Sequence, residues 1–451
     1  MKITRSEFLC AVLGAAFVAD LPGSGHAQGG QKPQLPAKAQ GGFGVQSGDG
    51  ERASRVASAI EEYDRQGIHR TASDVDNRSG QWLLDRAWAA GADARLEPSP
   101  INRVDVHAAY VEAEGRRAEG LPLFDSTFTD AAGIVGRVAP PEYGHPVALV
   151  VLDGAGISSE GRAIDALRRS NTHRAVVAVT NGAHPGLSPS NALAFANPYG
   201  VPVLQVDTDD HLWLRDLTAR GVEIRLVSHA TRTPAEASNV IATVAGREPR
   251  LAPIVVMTPR SGWWRCASER GGGIACWLEA LRGAAAARPS RTVLAVASSG
   301  HELGHFGLDA FLDTRRDLVK GAAAWIHLGA NIGAARGVPR LQASDDRIEA
   351  QTLEALTRIG AEVKQRVARG TRPGGEARNI HDGGGRYVSL LGSGPFFHNV
   401  ADRWPGAVDV AAVSRFSQAI ADVAVLLANA TSLPSLAALP FPRSGPRRAS
   451  P

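Results

Sequence analysis

Apolar residues recur at helical spacing near the start of the chain. Val56, Ile60 and Tyr63 are three or four positions apart, and a second such set follows over residues 82–87. This spacing places apolar side chains on one face of a helix. We therefore predict two helices within residues 51–91, and the apolar run over 105–112 predicts a strand.

The next stretch, residues 124–236, is made of short apolar runs. Runs typical of strands cover 133–138, 147–152, 175–179, 201–206 and 222–227, with helical patterns over 161–169 and 212–220. Turn-forming residues bound most of these runs. The stretch has no cluster of catalytic residue types, so we interpret it as a structural or substrate-gating insert.

Residues 237–430 alternate between strand and helix patterns. Strands are predicted over 240–244, 254–257, 292–297 and 323–328, and helices over 272–286, 310–318, 348–368 and 409–428. Such alternation favours a mostly parallel sheet with helices on both faces. We therefore predict an α/β fold formed by residues 51–123 and 237–430, with the insert between them.

The N-terminus has the pattern of an export signal. Lys2 and Arg5 precede a short apolar run over 8–19, and the small-x-small pattern around Ala27 is typical of a cleavage site. We predict a signal peptide over 1–27, a flexible linker over 28–50, a disordered tail over 431–451, and a periplasmic or secreted protein. The alternative is an uncleaved anchor. No later segment has the length and apolarity of a membrane span.

Composition and charge narrow the class of protein. The chain has 451 residues, of which 44% are hydrophobic and 21% charged, with a formal net charge of +4. Its basic residues are scattered arginines without a basic stripe, which argues against nucleic-acid binding. Cys10 leaves with the signal, and export would permit a disulfide between Cys266 and Cys276, although two free thiols are equally compatible with the sequence.

Histidine and glutamate residues collect in loops that follow predicted strands. These loops cover 258–273, 298–305, 327–331 and 392–398. Ligands of open α/β sheets bind beyond the carboxyl ends of the strands. Such side chains predict a zinc or similar divalent site, where the metal would polarise a carbonyl and activate water. The G-x-S-x-G elbow of serine hydrolases is absent from the sequence.

His301-Glu302-Leu303-Gly304-His305 also fits the zincin pattern. That chemistry needs both histidines one turn apart on a single helix. Gly300 and Gly304 disfavour a helix here. We therefore prefer loop positions for these residues, and we expect His305 and His327 to be packed or hydrogen-bonded rather than metal ligands.

These residues resemble the secreted co-catalytic zinc peptidases of the bacterial aminopeptidase and glutamate carboxypeptidase type. Residues 238–246 are similar to the first strand of that peptidase domain, 272–282 to the helix after the bridging metal ligand, and 291–298 to the strand before the paired glutamates. The region 124–236 resembles a protease-associated domain inserted before it. The resemblance covers most of the mature chain.

The resemblance implies metal ligands at Glu269, Glu302 and His398, with His301 in place of the usual glutamate base. Two further ligand positions fall at Thr258 and Gly329, which are poor ligands or none, so one zinc ion is expected rather than two. His301 could instead be a ligand. Asp402 follows His398 at a spacing similar to that of the family.

Arg260 and Trp263 are candidate substrate-binding residues. An arginine pairs with a carboxylate in bidentate fashion, and a tryptophan offers an apolar surface. The alternative is that both simply pack the loop.

Two functions remain open from the sequence. The first is an exported zinc-dependent hydrolase similar to metallopeptidases, acting on a peptide or a small amide. The second is a catalytically inactive relative that acts as a binding protein. Convergence of Glu269, Glu302 and His398 at one point would favour the first.

Overall fold

The computed structural model describes residues 47–153, 163–170 and 172–430. The predicted signal peptide and the predicted tail lie outside these ranges, as does most of the predicted linker. The last residues of that linker are helical, because the first helix already begins at Ser47.

Helices flank the sheet throughout the described ranges. They are α1 (Ser47–Gln66), α2 (Asp74–Ala89), α3 (Ala163–Arg169), α4 (His211–Arg220), α5 (Gly271–Ala287), α6 (Phe306–Asp313), α7 (Leu318–Gly321), α8 (Asp346–Ile359), α9 (Ala377–Asp382) and α10 (Val410–Asn429). The predicted apolar face of α1 is buried, with Ile60 and Tyr63 fully covered. Ser73 caps α2 by accepting a hydrogen bond from the backbone N–H of Asp76.

The strands form one mixed sheet. They are β1 (Asp93–Ala113), β2 (Arg116–Pro122), β3 (Ile134–Ala139), β4 (Val147–Asp153), β5 (Ala175–Asn181), β6 (Val203–Val206), β7 (Glu223–Val244), β8 (Ile254–Pro259), β9 (Val293–Ser298), β10 (Ala324–Leu328), β11 (Val338–Ala343), β12 (Gln365–Arg366) and β13 (Tyr387–Ser393). Their order is β1-β2-β6-β5-β4-β3-β7-β9-β8-β10-β13-β11-β12.

Four neighbouring strands in this order, β9, β8, β10 and β13, run parallel to one another. Most of their residues are buried, as expected for strands covered on both faces. Because parallel strands end at the same edge of a sheet, the loops after these four strands meet there. The α/β fold class predicted from the sequence is confirmed.

The long strands β1 and β7 pair antiparallel along most of their length, with a bulge between Val106 and Ala108. β7 also pairs with β3 in the predicted insert and with β9 in the predicted α/β region. One strand therefore continues across residue 236, where we expected the insert to end. The division into domains stays a prediction.

Helix α5 lies in the main core, where it packs against α10 and α1. Trp277 on α5 and Phe416 on α10 are both at most 2% exposed. Burial of such side chains stabilises a fold by about 1.5–3 kcal/mol each. Contrary to the expectation from the sequence that no later segment has the length and apolarity of a membrane span, α10 is, among the described helices, long and apolar enough to cross a membrane. However, 56% of its apolar window is buried inside the protein. Its packing makes it a core helix here.

Some predicted elements have different bounds. The helix predicted over 348–368 ends at Ile359 because Gly360 adopts a left-handed conformation (φ 69°) and its N–H caps the last turn. The helix predicted over 310–318 is instead the end of α6, a turn and the start of α7. Cys266 and Cys276 are both buried and free.

Candidate ligand site at the carboxyl ends of the central strands

Glu269 and His398 are brought together, and a buried arginine joins them. The Arg270 guanidinium lies with one terminal nitrogen 2.7 Å from Glu269 Oε1. His398 Nε2 lies 3.5 Å from the same oxygen. The N–H groups of this Arg270 nitrogen do not point at Glu269 Oε1, so neither atom has a well-formed hydrogen bond. The attraction between Arg270 and Glu269 is therefore mainly that of their opposite charges. All three side chains are excluded from solvent.

His398 is oriented by the predicted insert. Its Nδ1–H donates to the carbonyl of Pro189 at 2.7 Å, which leaves the Nε2 lone pair facing the carboxylate of Glu269. Burial, with a contribution from the Arg270 guanidinium, lowers the pKa of His398. The imidazole is therefore neutral near neutral pH.

Asp402 supports the loop that carries Glu269. Its two carboxylate oxygens accept hydrogen bonds from the backbone N–H groups of Ser268 at 2.8 Å and Glu269 at 2.9 Å. Burial raises the pKa of Asp402 to about 7. Asp402 therefore positions Glu269 by accepting a hydrogen bond from the Glu269 backbone rather than by binding the Glu269 carboxylate.

Glu302 is held by hydrogen-bond donors of another part of the chain. Its carboxylate accepts from the backbone N–H of Thr71 at 3.0 Å, from the Thr71 hydroxyl at 2.6 Å and from the Ser261 hydroxyl at 2.7 Å. Burial raises the pKa of Glu302. The carboxylate thereby ties the loop after α1 to the strand ends, and it does not join Glu269 and His398 in a ligand set.

Thr258 and Gly329, the two weak ligand positions, are both constrained by contacts with neighbouring residues. The Thr258 hydroxyl donates to the carbonyl of Leu328 at 2.9 Å. At Gly329, an added Cβ would lie 2.8 Å from His327 Cε1, which is too close for any side chain without movement of the ring. The imidazole of His327, together with Leu391 Cβ at 2.9 Å, thus crowds the position where the side chain of an aspartate at 329 would begin.

Together these residues do not fit a zinc ion. Glu269 and His398 are two potential ligands, whereas zinc sites in proteins use at least three protein ligands. The Arg270 guanidinium already supplies positive charge at the shared oxygen and would repel a dication there. Within the described ranges, no three His, Cys, Asp or Glu side chains are arranged to hold a metal ion.

The zincin interpretation is wrong. His301 lies in a short 3-10 turn between Gly300 and Gly304, which both have positive φ. His305 has a φ of 70° and precedes α6, so the two histidines do not share a helix. His301 Nδ1 lies 3.5 Å from Glu376 Oε1. Burial, with the Arg270 guanidinium next, lowers the pKa of His301 well below its usual value, which makes it a weak base.

A cavity of about 370 Å³ opens beside these residues. His301, His305, His327, Arg340 and Arg378 line it, together with glycines that precede α9 (Gly374 and Gly375) and glycines at the end of β13 (Gly392 and Gly394). His305 and His327 are buried and hydrogen-bonded, as expected, to Asn379 and Ser389 respectively. No pattern in the sequence indicated the two arginines at this site, because neither β11, which carries Arg340, nor α9, which carries Arg378, was predicted.

The loop over 182–195 forms one wall of the cavity. The carbonyl of Glu302 accepts a hydrogen bond from the N–H of Ala192 at 2.8 Å, and Asn191 accepts one from the Trp263 indole at 3.1 Å. Asn191 and Leu193 line the cavity. The predicted insert therefore contributes directly to the site.

Arg260 and Trp263, the predicted substrate-binding residues, do not line this cavity. Both are fully buried. The Arg260 guanidinium pairs with Asp76 at 2.7 Å and with the carbonyl of Ser238. In this structure both residues pack the loop that follows β8, which is the alternative we had kept open.

Comparison with solved structures identifies proteins of the same architecture. The chain is similar to BSAP, a zinc aminopeptidase from Bacillus subtilis, with a TM-score of 0.68 and 14% identity over 85% of this chain and 97% of that one. It is similar to a peptidase M28 precursor from Shewanella amazonensis SB2B, with a TM-score of 0.68 and 16% identity over 85% and 96%. The fold is that of the zinc aminopeptidases.

A third structure of this fold, an aminopeptidase from Aneurinibacillus sp. strain AM-1, has a TM-score of 0.63 and 14% identity over 83% of this chain and 93% of that one. No family model matches the chain, and no curated protein matches it. At these identities the likeness establishes the aminopeptidase fold, and the chemistry has to come from the residues of this chain. The protease-associated character of the insert stays a prediction.

Proposed function

We propose that this chain is an exported ligand-binding protein of the zinc aminopeptidase fold that works without a catalytic metal. The observation that carries the proposal is the buried ion pair of Arg270 with Glu269, at 2.7 Å. A guanidinium is permanently charged, so it always supplies a countercharge to the carboxylate of Glu269.

The other predicted ligand positions support the same proposal. Glu302 has three hydrogen-bond donors of its own, and Gly329 has no room for a side chain beside His327. His301, which takes the place of the usual base, has a lowered pKa and is a poor proton acceptor. Hydrolysis of a peptide or amide would lack both an activated water and an effective base.

Export is proposed from the sequence alone, through the signal pattern of residues 1–27. The cavity is the proposed binding site, since pockets of this size with a few convergent polar groups are typical of small-molecule sites.

The test is a zinc titration of the purified full chain by calorimetry, combined with hydrolysis assays on aminoacyl anilides. We expect no specific heat of zinc binding and no hydrolysis above background. Stoichiometric zinc binding that His398→Ala abolishes, with hydrolysis that a chelator stops, would establish the metallopeptidase alternative instead. An exposed control, His107→Ala, should leave either result unchanged.

A further inference from the structure

Among the described residues, the lining of the cavity at the strand ends includes two positively charged side chains and no acidic one. Arg340 and Arg378 line it together with the imidazoles of His301, His305 and His327. A second cavity of about 490 Å³ adjoins it, shares Arg340 and Arg378, and likewise has no aspartate or glutamate among its described lining residues. The buried carboxylate of Glu376 contacts Ser298 and His301 and belongs to neither lining. The two arginine charges on the lining therefore favour an anion in the cavity.

Arg340 has no hydrogen-bond or ion-pair partner among the residues that the structure describes. Its Nε is buried without a hydrogen bond, and its guanidinium has no ion pair with any described residue. Other arginines nearby are paired: Arg372 with Asp382, and Arg366 with Glu349. A buried polar group without a partner costs free energy, which a ligand can recover by accepting its hydrogen bonds.

His327 offers a second unused polar atom. It is fully buried, its Nδ1 lies 2.8 Å from the Ser389 hydroxyl, and its Nε2 has no partner. Burial lowers the pKa of His327 to about 4, so the ring is neutral. When the Ser389 hydroxyl donates to Nδ1, the proton sits on Nε2 and is available to an anion in the cavity.

Most of the remaining lining is apolar or glycine backbone, and its other polar residues are Asn191, Asn331 and Ser393. Leu193, Leu391 and Phe397 contribute apolar walls, while Gly375 and Gly394 leave the backbone uncovered. A fully hydrated ion such as phosphate would leave these walls unused. A ligand with an apolar body of several carbon atoms would bury against them.

We infer that the cavity binds a small organic carboxylate with an apolar body, whose carboxylate is held by Arg340 and Arg378 and reached by His327. A guanidinium matches a carboxylate in bidentate geometry, and the apolar walls select the carbon portion of the ligand. This inference rests on the proposed function, because it requires a cavity without a catalytic metal.

The experiment compares two probes that differ only in the anionic group: N-acetyl-L-leucine and N-acetyl-L-leucinamide. Calorimetry on the full chain should show binding of the acid and about tenfold to a hundredfold weaker binding of the amide, the range expected for charge-assisted hydrogen bonds. N-acetyl-L-phenylalanine and inorganic phosphate extend the panel. Phosphate should bind more weakly than either acid.

Arg340→Leu should weaken binding of the acid by a similar factor and leave binding of the amide unchanged. Arg340→Lys should recover part of the loss, because charge returns without the bidentate geometry. Arg215→Leu on the exposed side of α4 is the matched control for the loss of one positive charge and should bind like the unmodified chain. Circular dichroism of each variant verifies folding.

Several outcomes overturn the inference. They are equal affinity for acid and amide, an acid affinity unaffected by Arg340→Leu, binding of phosphate but of neither acid, and no binding of any probe. Zinc analysis of the same samples separates the two proposals. Stoichiometric zinc overturns the proposed function, whereas a metal-free chain that binds no acid overturns this inference alone.

Discussion

Replacing Arg270 by methionine tests the ion pair on which the proposed function depends. Methionine fills a similar volume but leaves the Glu269 carboxylate buried without a countercharge. Removing one partner of a buried pair costs about 3–5 kcal/mol. Total stabilities of folded domains are about 5–15 kcal/mol, so the loss would be a large fraction of the free energy of unfolding. We therefore expect Arg270→Met to be folded but strongly destabilised.

A double-mutant cycle separates the ion pair from general packing. Glu269→Gln removes the negative charge, and the double variant removes both charges at once. We expect the double variant to be more stable than the sum of the single effects predicts, with a coupling free energy of about 0.5–3 kcal/mol. Urea unfolding followed by tryptophan fluorescence at pH 7.5 gives the four free energies.

The control for this cycle is an exposed pair of the same chemistry. Arg220 contacts Glu114 at 2.7 Å, with both side chains more than 40% exposed. Arg220→Met should change the urea midpoint only slightly, because an exposed ion pair contributes little to stability. If Arg270→Met changes the midpoint no more than this, or if its effect adds independently to that of Glu269→Gln, the guanidinium does not neutralise Glu269 and the reasoning fails.

Three further predictions follow from the site. Burial lowers the pKa of His69 and His305 to about 3 and that of His327 to about 4. It also lowers the pKa of His301 and His398. The pKa of a histidine in the unfolded chain lies near 6.5, so the stability that these neutral rings contribute above that pH is lost on acidification. The loss is about 2 kcal/mol at pH 5 for each of His69, His305 and His327. Carboxyl groups whose pKa is raised by burial work in the opposite direction, including Asp402 with a pKa of about 7, Asp309 with a pKa of about 6, and Glu302. Asp402 alone offsets about 2–3 kcal/mol. The summed effect of the five histidines is larger, so the urea midpoint should still fall between pH 7.5 and pH 5; a midpoint that rises would contradict the buried neutral histidines. Glu302→Ala should cost about 2–4 kcal/mol by leaving three donors unsatisfied, measured by urea unfolding with and without zinc; a metal-ligand role would instead make the loss depend on zinc. Gly329→Asp should lower the melting temperature and recruit no zinc, while His327→Ala in the same chain should restore part of the stability, and zinc binding by Gly329→Asp alone would refute the steric argument.

The sequence predicted the central strands well because they are long runs of apolar, β-branched residues. Strand β8 and strand β9 are buried along nearly their whole length, and such runs are distinctive. Strands β11 and β13 carry proline, glycine or polar residues among fewer apolar ones, and both were missed. The end of α8 depends on the left-handed conformation of Gly360, which a pattern of apolar positions does not reveal.

The candidate site was predicted only in part, for a physical reason. Glu269 and His398 follow strands and meet at the sheet edge, as the position of their loops implied. Two of the three donors to Glu302 come from Thr71, more than two hundred residues away, and no local pattern indicates that contact. Arg270 is adjacent to Glu269 in the chain, but only the fold determines that its guanidinium turns towards that carboxylate.

The most direct test of the central claim is the zinc content of the full chain, measured by inductively coupled plasma mass spectrometry after purification from zinc-supplemented cells and desalting. Because Arg270 already neutralises Glu269, we predict zinc at the same background level in the unmodified chain and in His398→Ala. One zinc ion per unmodified chain, lost in His398→Ala, would contradict the account.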